Sequence, residues 1–328
     1  MEALEELELC FPELLNSSCK KPKRPPFEAI LIYIILSSIS MLTTTLNLLV
    51  IISISHFKQL QTPTNLLLLS LAVSDFFVGL VMFFQIMLIG CWFLGDLMCV
   101  LYQYLAYIIT SASVGTMVLI SVDRYVAICD PLHYSTKVTK KRVQICVCLC
   151  WIGSVVFIGL MLKENLEQPG SYNSCSGECV VVGNYIAGLA DLIFSFIAPV
   201  IVIVALYMRV FMVAVSQARA MRSHIVAVTL QGSVTVQKSE LKAARTLGVV
   251  VVAFIICLCP YYIYIIVLTA QDILISASSA VFVICLFYFN SCLNPLIYAF
   301  FYPWFRKCLK LIVTLQILQS HSSEANIL

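Results

Sequence analysis

Residues 180–207 read VVVGNYIAGLADLIFSFIAPVIVIVALY, an apolar run that contains one charged residue, Asp191, and no lysine or arginine. A helix rising about 1.5 Å per residue needs about 20 residues to cross roughly 30 Å of hydrocarbon, and this run is longer. A carboxylate at membrane depth is costly unless it is paired, hydrated or protonated. The run therefore predicts a transmembrane helix, and Asp191 is a candidate functional residue whose natural partner is a cation.

The remainder of the chain has the same apolar character. Of its 328 residues, 61% are hydrophobic and 11% are charged, whereas soluble proteins carry about a quarter charged residues. Seven apolar runs, this one included, lie near 29–54, 64–90, 97–129, 143–162, 183–213, 243–269 and 277–301. They are too long and continuous for the ~10-residue alternating strands of a membrane β-barrel. The sequence therefore predicts an all-α membrane protein, a seven-transmembrane helix bundle.

The distribution of basic residues predicts the orientation of this bundle. Fifteen of the twenty lysines and arginines fall at or beside the loops after helices 1, 3 and 5 and the segment after helix 7. Because cytoplasmic loops are rich in lysine and arginine, the N-terminus is expected outside, although Lys20–Arg24 opposes the bias locally. Residues 1–28 are too polar for a cleavable signal peptide. We expect an extracellular tail (1–28), the bundle (29–301), a short amphipathic membrane-surface helix (302–312) and a cytoplasmic tail (313–328).

Six of the fifteen cysteines lie at the predicted outer face, where disulfides persist. They are Cys10, Cys19, Cys91, Cys99, Cys175 and Cys179. Asn16 begins an Asn-Ser-Ser glycosylation sequon in the outer tail, which agrees with the predicted orientation. Cys308, in the surface helix, is a candidate for palmitoylation, and a buried packing cysteine is an equal alternative.

An ordered set of motifs runs through the predicted helices. It comprises Asn47, Leu71-Ala72-Val73-Ser74-Asp75, Cys99, Asp123-Arg124-Tyr125, Trp151, Pro199 with Tyr207, Phe254 with Pro260, and Asn294-Pro295-Leu296-Ile297-Tyr298. The set resembles the rhodopsin-like (class A) G-protein-coupled receptors over essentially the whole chain. Within that class, the passage from Asn290 to Lys307 and the tail motif Cys10-Phe11-Pro12 are similar to the trace amine-associated receptors.

This resemblance implies a role for several polar groups. Asp75, with Asn290 and Asn294, is expected to form an allosteric Na⁺ pocket; a hydrogen-bonded structural carboxylate is the alternative. The G-protein switch is expected to involve Asp123, Arg124, Tyr125, Tyr207, Glu240 and Tyr298. In it, an Arg124–Glu240 pair would hold helices 3 and 6 together at rest, as a two-state element that a ligand can bias.

The resemblance also implies two disulfides at the outer face. Cys99 is expected to bond Cys179. Cys175 is expected to bond Cys19, with Cys10 as the competing partner, because connectivity cannot be deduced from sequence alone.

The ligand site departs from the usual pattern of amine receptors. Their ammonium counter-ion is an aspartate seven residues after the cysteine that opens helix 3, and Ala106 stands there. Asp191 lies eight residues before Pro199, about 12 Å nearer the outside along helix 5, and in the family's fold this level faces the same cavity from the opposite wall. Some fish trace amine-associated receptors resemble this arrangement, which implies an amine bound in reversed orientation.

The predicted ligand-binding residues combine this acid with surrounding aromatic and polar groups. They are Asp191, Tyr107, Ala106, Thr110, Ser195, Tyr261, Tyr262, Phe287 and Tyr288. Aromatic ring faces attract an ammonium group by ~0.5–2 kcal/mol. The alternatives are core packing for each aromatic residue, and an internal hydrogen bond to Ser195 or a tyrosine for Asp191.

Two further positions indicate what kind of receptor the chain is. Leu258 stands where most of the class has tryptophan two residues before the helix 6 proline, so the floor of the site is reshaped. Helix 7 has no lysine for a retinal Schiff base, since Tyr288 occupies that position. We predict an olfactory receptor for amines that raises cyclic AMP through a stimulatory G protein (Gs/Golf class) in the plasma membrane of olfactory sensory neuron cilia. Arrestin and membrane lipid are further expected partners.

Other classes of function fit less well. A class A receptor for a non-amine ligand, with Asp191 structural, is the alternative. A transporter would need a relay of charged groups or inverted repeats, and only Asp75 and Asp191 lie deep. The chain has no metal-spaced histidine and cysteine set, so we expect no enzyme, no cofactor beyond Na⁺ and no nucleic-acid partner.

Overall fold

A computed structural model describes residues 8–14, 16–20, 25–87, 91–181, 184–224, 248–267, 277–319, 322–325 and 327. Seven helices in these ranges are long and apolar enough to cross a membrane. They are α1 (Pro26–His56), α2 (Pro63–Met87), α3 (Asp96–Cys129), α4 (Lys140–Met161), α5 (Tyr185–Asp191, Leu192–Ile197 and Ala198–His224), α6 (Gly248–Val267) and α7 (Ala277–Phe301). An eighth helix, α8 (Pro303–Val313), follows at once. The prediction of an all-α, seven-helix membrane bundle is confirmed.

Local sequence explains where several helices begin. The Thr139 side chain accepts a hydrogen bond from the backbone N–H of Arg142, so α4 begins at Lys140, three residues before the predicted start. The Asn184 side chain caps α5 by accepting from the N–H of Ala187 at 2.8 Å. Such caps satisfy backbone donors that have no partner in the first helical turn.

A π-helical segment, Leu192–Ile197, follows Asp191 directly in the N-terminal half of α5. It ends next to Pro199, whose ring nitrogen cannot donate a hydrogen bond to the helix. Ser195 is buried, whereas Phe194 is 64% exposed. Single π-helical turns are frequent at functional sites because they change which side chains face the interior.

Three disulfides join the loops at one end of the bundle, hereafter the disulfide end. They are Cys10–Cys91, Cys19–Cys175 and Cys99–Cys179. The structure thus contains both disulfides that the resemblance implied. Cys10, the competing partner for Cys175, instead bonds Cys91, a pairing that the sequence did not indicate.

Residues 8–14 and 16–20 lie across the α4–α5 loop at this end. The Cys19 backbone N–H donates to the Ser176 carbonyl at 2.9 Å, and the Trp92 backbone N–H donates to the Gly177 carbonyl at 2.8 Å. Gly177 has φ +105°, and a Cβ there would lie 2.8 Å from the Cβ of Cys10. Only glycine fits this crossing, because both the backbone conformation and the close approach exclude a side chain.

The C-terminal segment folds back on the turn between α1 and α2, at the other end of the bundle. Lys58 Nζ lies 2.9 Å from Glu324 Oε1, and the Ile327 backbone N–H donates to Gln59 Oε1 at 3.1 Å. The Ile327 side chain is only 2% exposed and belongs to the main apolar core. Part of the predicted tail is therefore packed against the bundle.

Candidate functional site

A cavity of about 210 Å³ lies between α3, α5, α6 and α7. Its lining residues are Gln103, Ala106, Tyr107, Thr110, Asp191, Tyr261, Tyr262, Ile284, Phe287 and Tyr288. Eight of the nine predicted ligand-binding residues are among them. The ninth, Ser195, is buried one turn after Asp191 on α5. The structure therefore brings the predicted ligand site together in one cavity.

Among the described residues that line this cavity, Asp191 is the only one with a carboxylate. It is partly buried, and among the described residues it has no ion pair with a lysine, arginine or histidine. The Ser195 hydroxyl, one turn further along α5, is its internal polar neighbour, the group that the alternative interpretation of this residue names. An ionised carboxylate has about four acceptor positions, so one hydroxyl leaves capacity for a ligand.

The aromatic wall of the cavity is internally packed. Tyr262 stacks on Phe196 with ring centroids 4.4 Å apart, and Tyr261 contacts Phe287 at 4.7 Å. The Phe287 ring also meets Tyr288 edge-on. Core packing and cavity lining are therefore combined in the same side chains, and the packing fixes the ring faces that the cavity presents.

Gln103 and Ile284 line the cavity but were not predicted from the sequence. Gln103 precedes Tyr107 by four residues on α3, and Ile284 precedes Tyr288 by four residues on α7. Residues four apart lie on the same helix face. That spacing was the signal that could have identified both positions.

A second, smaller cavity of about 20 Å³ lies directly below. It is lined by Val78, Thr110, Ser113, Val114, Phe254, Leu258, Phe287, Asn290 and Ser291. Thr110 and Phe287 line both cavities. The lower cavity is large enough for one water molecule, since about 10–15 Å³ suffices, and polar partners are present. Leu258 thus leaves a water-sized space in the floor of the site.

Asp75 lies deeper and is 0% exposed. Its Oδ2 accepts from the Asn294 amide at 2.7 Å, and its Oδ1 has no hydrogen-bond partner within the described part of the chain. The amide oxygens of Asn47, Asn290 and Asn294 are also buried without a partner. Hard cations prefer oxygen ligands, so buried oxygens that lack donors fit a Na⁺ ion. The Asn47 amide donates instead to the carbonyls of Thr43 and Ser291.

The Asp123–Arg124 motif lies at the end of α3 remote from the disulfides, and both residues are buried. Arg124 Nε donates to Asp123 Oδ2 at 3.0 Å, and Arg124 Nη2 donates to Thr64 Oγ1 at 2.7 Å. Tyr134, in the loop after α3, donates to Asp123 Oδ1 at 2.8 Å. Burial, followed by the charge of Asp123, raises the pKa of Tyr134 to about 12. Thr64 and Tyr134 are partners that the sequence did not indicate.

The other predicted switch residues have varied surroundings. Tyr207 and Tyr298 bury their hydroxyls without a hydrogen-bond partner. Tyr125 is exposed on α3. Glu240, the expected partner of Arg124, lies outside the described residues.

Two predicted modification sites differ in accessibility. Asn16 is exposed. Cys308 is 0% exposed, and burial raises the pKa of its thiol to about 11. This favours the packing alternative over palmitoylation, because an inaccessible thiol held in its neutral form is a poor nucleophile.

Comparison with known proteins gives a consistent answer. Residues 46–298 match the family model of the 7 transmembrane receptor (rhodopsin family). The chain is 39% identical to trace amine-associated receptor 8a of Rattus norvegicus, over 97% of this chain and 95% of that one. It is 38% identical to trace amine-associated receptor 13c of Danio rerio (98% and 96% covered) and 36% identical to trace amine-associated receptor 4 of Mus musculus (98% and 96%).

The fold and these matches define the class, a rhodopsin-family seven-transmembrane receptor. Within this class, the chain belongs to the trace amine-associated receptor family. It is a multi-pass membrane protein and a receptor rather than an enzyme, as the sequence predicted. The family resemblance drawn from the helix motifs is confirmed.

Proposed function

We propose that this receptor responds to small amines whose ammonium group binds Asp191. The supporting observation is a single carboxylate on the wall of an aromatic cavity, without a basic partner among the described residues. The relatives are named for trace amines. Ala106 cannot bind a cation from α3, so the ammonium group points towards α5.

The energetics of the cavity favour a cationic ligand. An ammonium group donates a charge-assisted hydrogen bond to Asp191, and such bonds are roughly twice as strong as neutral ones. Tyr107, Tyr261 and Tyr262 lie close enough to Asp191 to interact with it electrostatically. All three line the same cavity as Asp191, and a ring face presented to the cation would add ~0.5–2 kcal/mol.

We infer that the disulfide end faces the outside and the Arg124 end faces the cytoplasm. The basic residues after helices 1, 3, 5 and 7 support this orientation. In the free receptor, Thr64 and Asp123 hold Arg124, and ligand binding would release it to form a G-protein cleft. By family resemblance, we propose a stimulatory G protein (Gs/Golf class), cyclic AMP as the messenger, arrestin as a later partner and olfactory cilia as the location.

We also propose that Asp75 and Asn294 hold an allosteric Na⁺ ion. The carboxylate would balance the charge of the ion, and the unpartnered amide oxygens of Asn290 and Asn294 are available to it. The ion would supply positive charge that compensates a buried carboxylate, and the two asparagines would orient that carboxylate.

The test of the amine proposal is a panel of primary amines on cells that express the wild type, Asp191→Asn and Asp191→Glu. A hydrogen bond to a charged group contributes ~1.5–3 kcal/mol, so Asp191→Asn should lower potency by roughly 10- to 150-fold. Asp191→Glu should retain part of the response, because its charge is kept. Cyclic AMP accumulation is measured at matched surface expression.

Glu28→Gln is the matched control, since it removes one carboxylate from α1 outside the cavity. It should leave amine potency unchanged. If Asp191→Asn responds to amines with wild-type potency, the ammonium group does not bind Asp191 and the proposed role of this residue is wrong.

A further inference from the structure

Gln103 is a second polar group on the cavity wall, on a different helix from Asp191. It lies on α3, one turn nearer the disulfide end than Tyr107. Its amide makes no hydrogen bond to any described residue. By contrast, the Thr110 hydroxyl, also on α3, already donates to the Ala106 carbonyl at 2.9 Å. Gln103 thus presents a free acceptor and two free donors to whatever fills the cavity.

This free amide has consequences for a bound ligand. A ligand with only an apolar tail would displace water from the amide and leave it unpaired. Sites that carry a hydrogen-bonding group discriminate against analogues that lack the matching group, because the buried polar group is then unsatisfied. A hydroxyl or amide at the far end of the ligand would replace the lost water.

The cavity is small. Its volume of about 210 Å³ corresponds to roughly seven water molecules at ~30 Å³ each. It therefore suits a small aliphatic amine. A second ammonium group is disfavoured, since Asp191 is the only carboxylate among the described residues that line the cavity.

We propose that Gln103 determines ligand specificity, and that the receptor selects amines with a neutral hydrogen-bonding group at the end opposite the ammonium. This rests on the proposed amine function. Asp191 binds the ammonium group, and the Gln103 amide forms a hydrogen bond with the group at the opposite end of the ligand. The ligand class is an amino alcohol or amino amide rather than an alkylamine or a diamine.

Three straight-chain probes with the same number of non-hydrogen atoms test this proposal: hexylamine, ω-hydroxypentylamine and pentanediamine. They differ only in whether the far end is methyl, hydroxyl or ammonium. In the wild type, ω-hydroxypentylamine should be more potent than hexylamine by about two- to tenfold, the effect of one net hydrogen bond. Pentanediamine should be the weakest of the three. Potency is read from cyclic AMP and checked by ligand-induced thermal stabilisation of the purified receptor.

Variants at Gln103 then assign the effect to this side chain. Gln103→Leu should abolish the advantage of ω-hydroxypentylamine over hexylamine, and Gln103→Glu should raise the potency of pentanediamine above both. Leu105→Ala is the matched control on α3, because Leu105 is 54% exposed on the outer surface of the bundle. It should keep the wild-type ranking.

The proposal is overturned if the wild type ranks hexylamine equal to or above ω-hydroxypentylamine, or if Gln103→Leu keeps the wild-type ranking. If the three probes are equipotent and Asp191→Asn weakens all of them, the amine function stands and the role of Gln103 fails. If no probe activates or stabilises the wild type, both proposals fail.

Discussion

The Cys10–Cys91 disulfide should stabilise the disulfide end of the bundle less than the separation of the two cysteines in the chain suggests. The two cysteines are separated by 81 residues. In the chain-entropy model, a loop of that length gives about 4.5 kcal/mol. The other two disulfides provide a shorter path between Cys10 and Cys91. It follows the chain from Cys10 to Cys19, crosses the disulfide to Cys175, and follows the chain to Cys179. It then crosses the disulfide to Cys99 and follows the chain back to Cys91. This path closes a ring of about 20 residues, for which the same model gives about 3 kcal/mol.

The variants are Cys10→Ser, Cys91→Ser and the double variant, each compared with the wild type. All three remove the same bond, so their losses should be equal rather than additive. A loss of about 3 kcal/mol should lower the midpoint of thermal unfolding by roughly 6 °C, at about 2 °C per kcal/mol for a chain of this size. The midpoint is measured from the monomer that survives heating of the purified receptor. Cys146→Ser, at a free exposed cysteine of α4, is the control.

The same variants in a receptor that lacks the Cys19–Cys175 disulfide test whether the short ring determines the loss of stability. When Cys19 and Cys175 are both serine, the short path is lost and the loop of 81 residues applies. Removal of Cys10–Cys91 should then cost up to about 1 kcal/mol more than in the wild type. This is an upper value, because α1 and α2 occupy most of that loop. A smaller loss in this background, or additive losses from the two single variants, would refute the reasoning.

Three other predictions concern the cavity, the switch and the orientation. Ala106→Asp should raise the potency of diamines relative to monoamines by tenfold or more, since two carboxylates would then face one cavity; unchanged ranking in a cyclic AMP assay would contradict the opposed-wall geometry. Tyr134→Phe removes a hydrogen bond to Asp123 worth about 1 kcal/mol and should raise ligand-free cyclic AMP about fivefold, whereas an unchanged basal level would mean that this contact does not hold the resting state. Asn16→Gln should abolish the mass loss that a glycosidase produces in the wild type; if the wild type shows no such loss, the outer placement of the tail loses its support.

The transmembrane architecture was predictable because each helix is a continuous apolar run. Most predicted and observed bounds differ by a few residues, but α5 continues to His224, beyond the predicted end at 213. The Thr139 side chain caps α4 before the apolar run begins. Because this cap is polar, a hydrophobic pattern does not reveal it. Hydropathy predicts where the membrane-spanning part of a helix begins, whereas hydrogen bonds to backbone donors determine where the helix itself begins.

The ligand cavity was predictable from the family motifs, but only for positions that a motif marked. Asp191 stood out because an acid in an apolar run is rare. Gln103 belongs to no motif, and only its spacing of four residues from Tyr107 could have marked it. Two partners of the Asp123–Arg124 motif were missed for a different reason. Thr64, which accepts from Arg124, and Tyr134, which donates to Asp123, are ordinary in type, and only the packing of α2 and the α3–α4 loop brings them to the motif.

The complete pairing of the six cysteines could not be predicted from the sequence. Six outer cysteines allow on the order of 15 pairings, and sequence separation does not select among them. The family resemblance implied two bonds and left Cys10 and Cys91 over. Their pairing depends on how residues 8–14 cross Gly177, a contact between two loops that have no regular structure.

The buried Ile327 side chain has a practical consequence for handling this receptor. The backbone N–H of that residue is bound to Gln59, and its side chain fills a site in the apolar core. An affinity tag or fluorescent protein fused directly after residue 328 would therefore begin one residue beyond a buried anchor. A reporter attached through a flexible spacer would leave this anchor in place, whereas truncation of the last residues would open the core beside α8 to water.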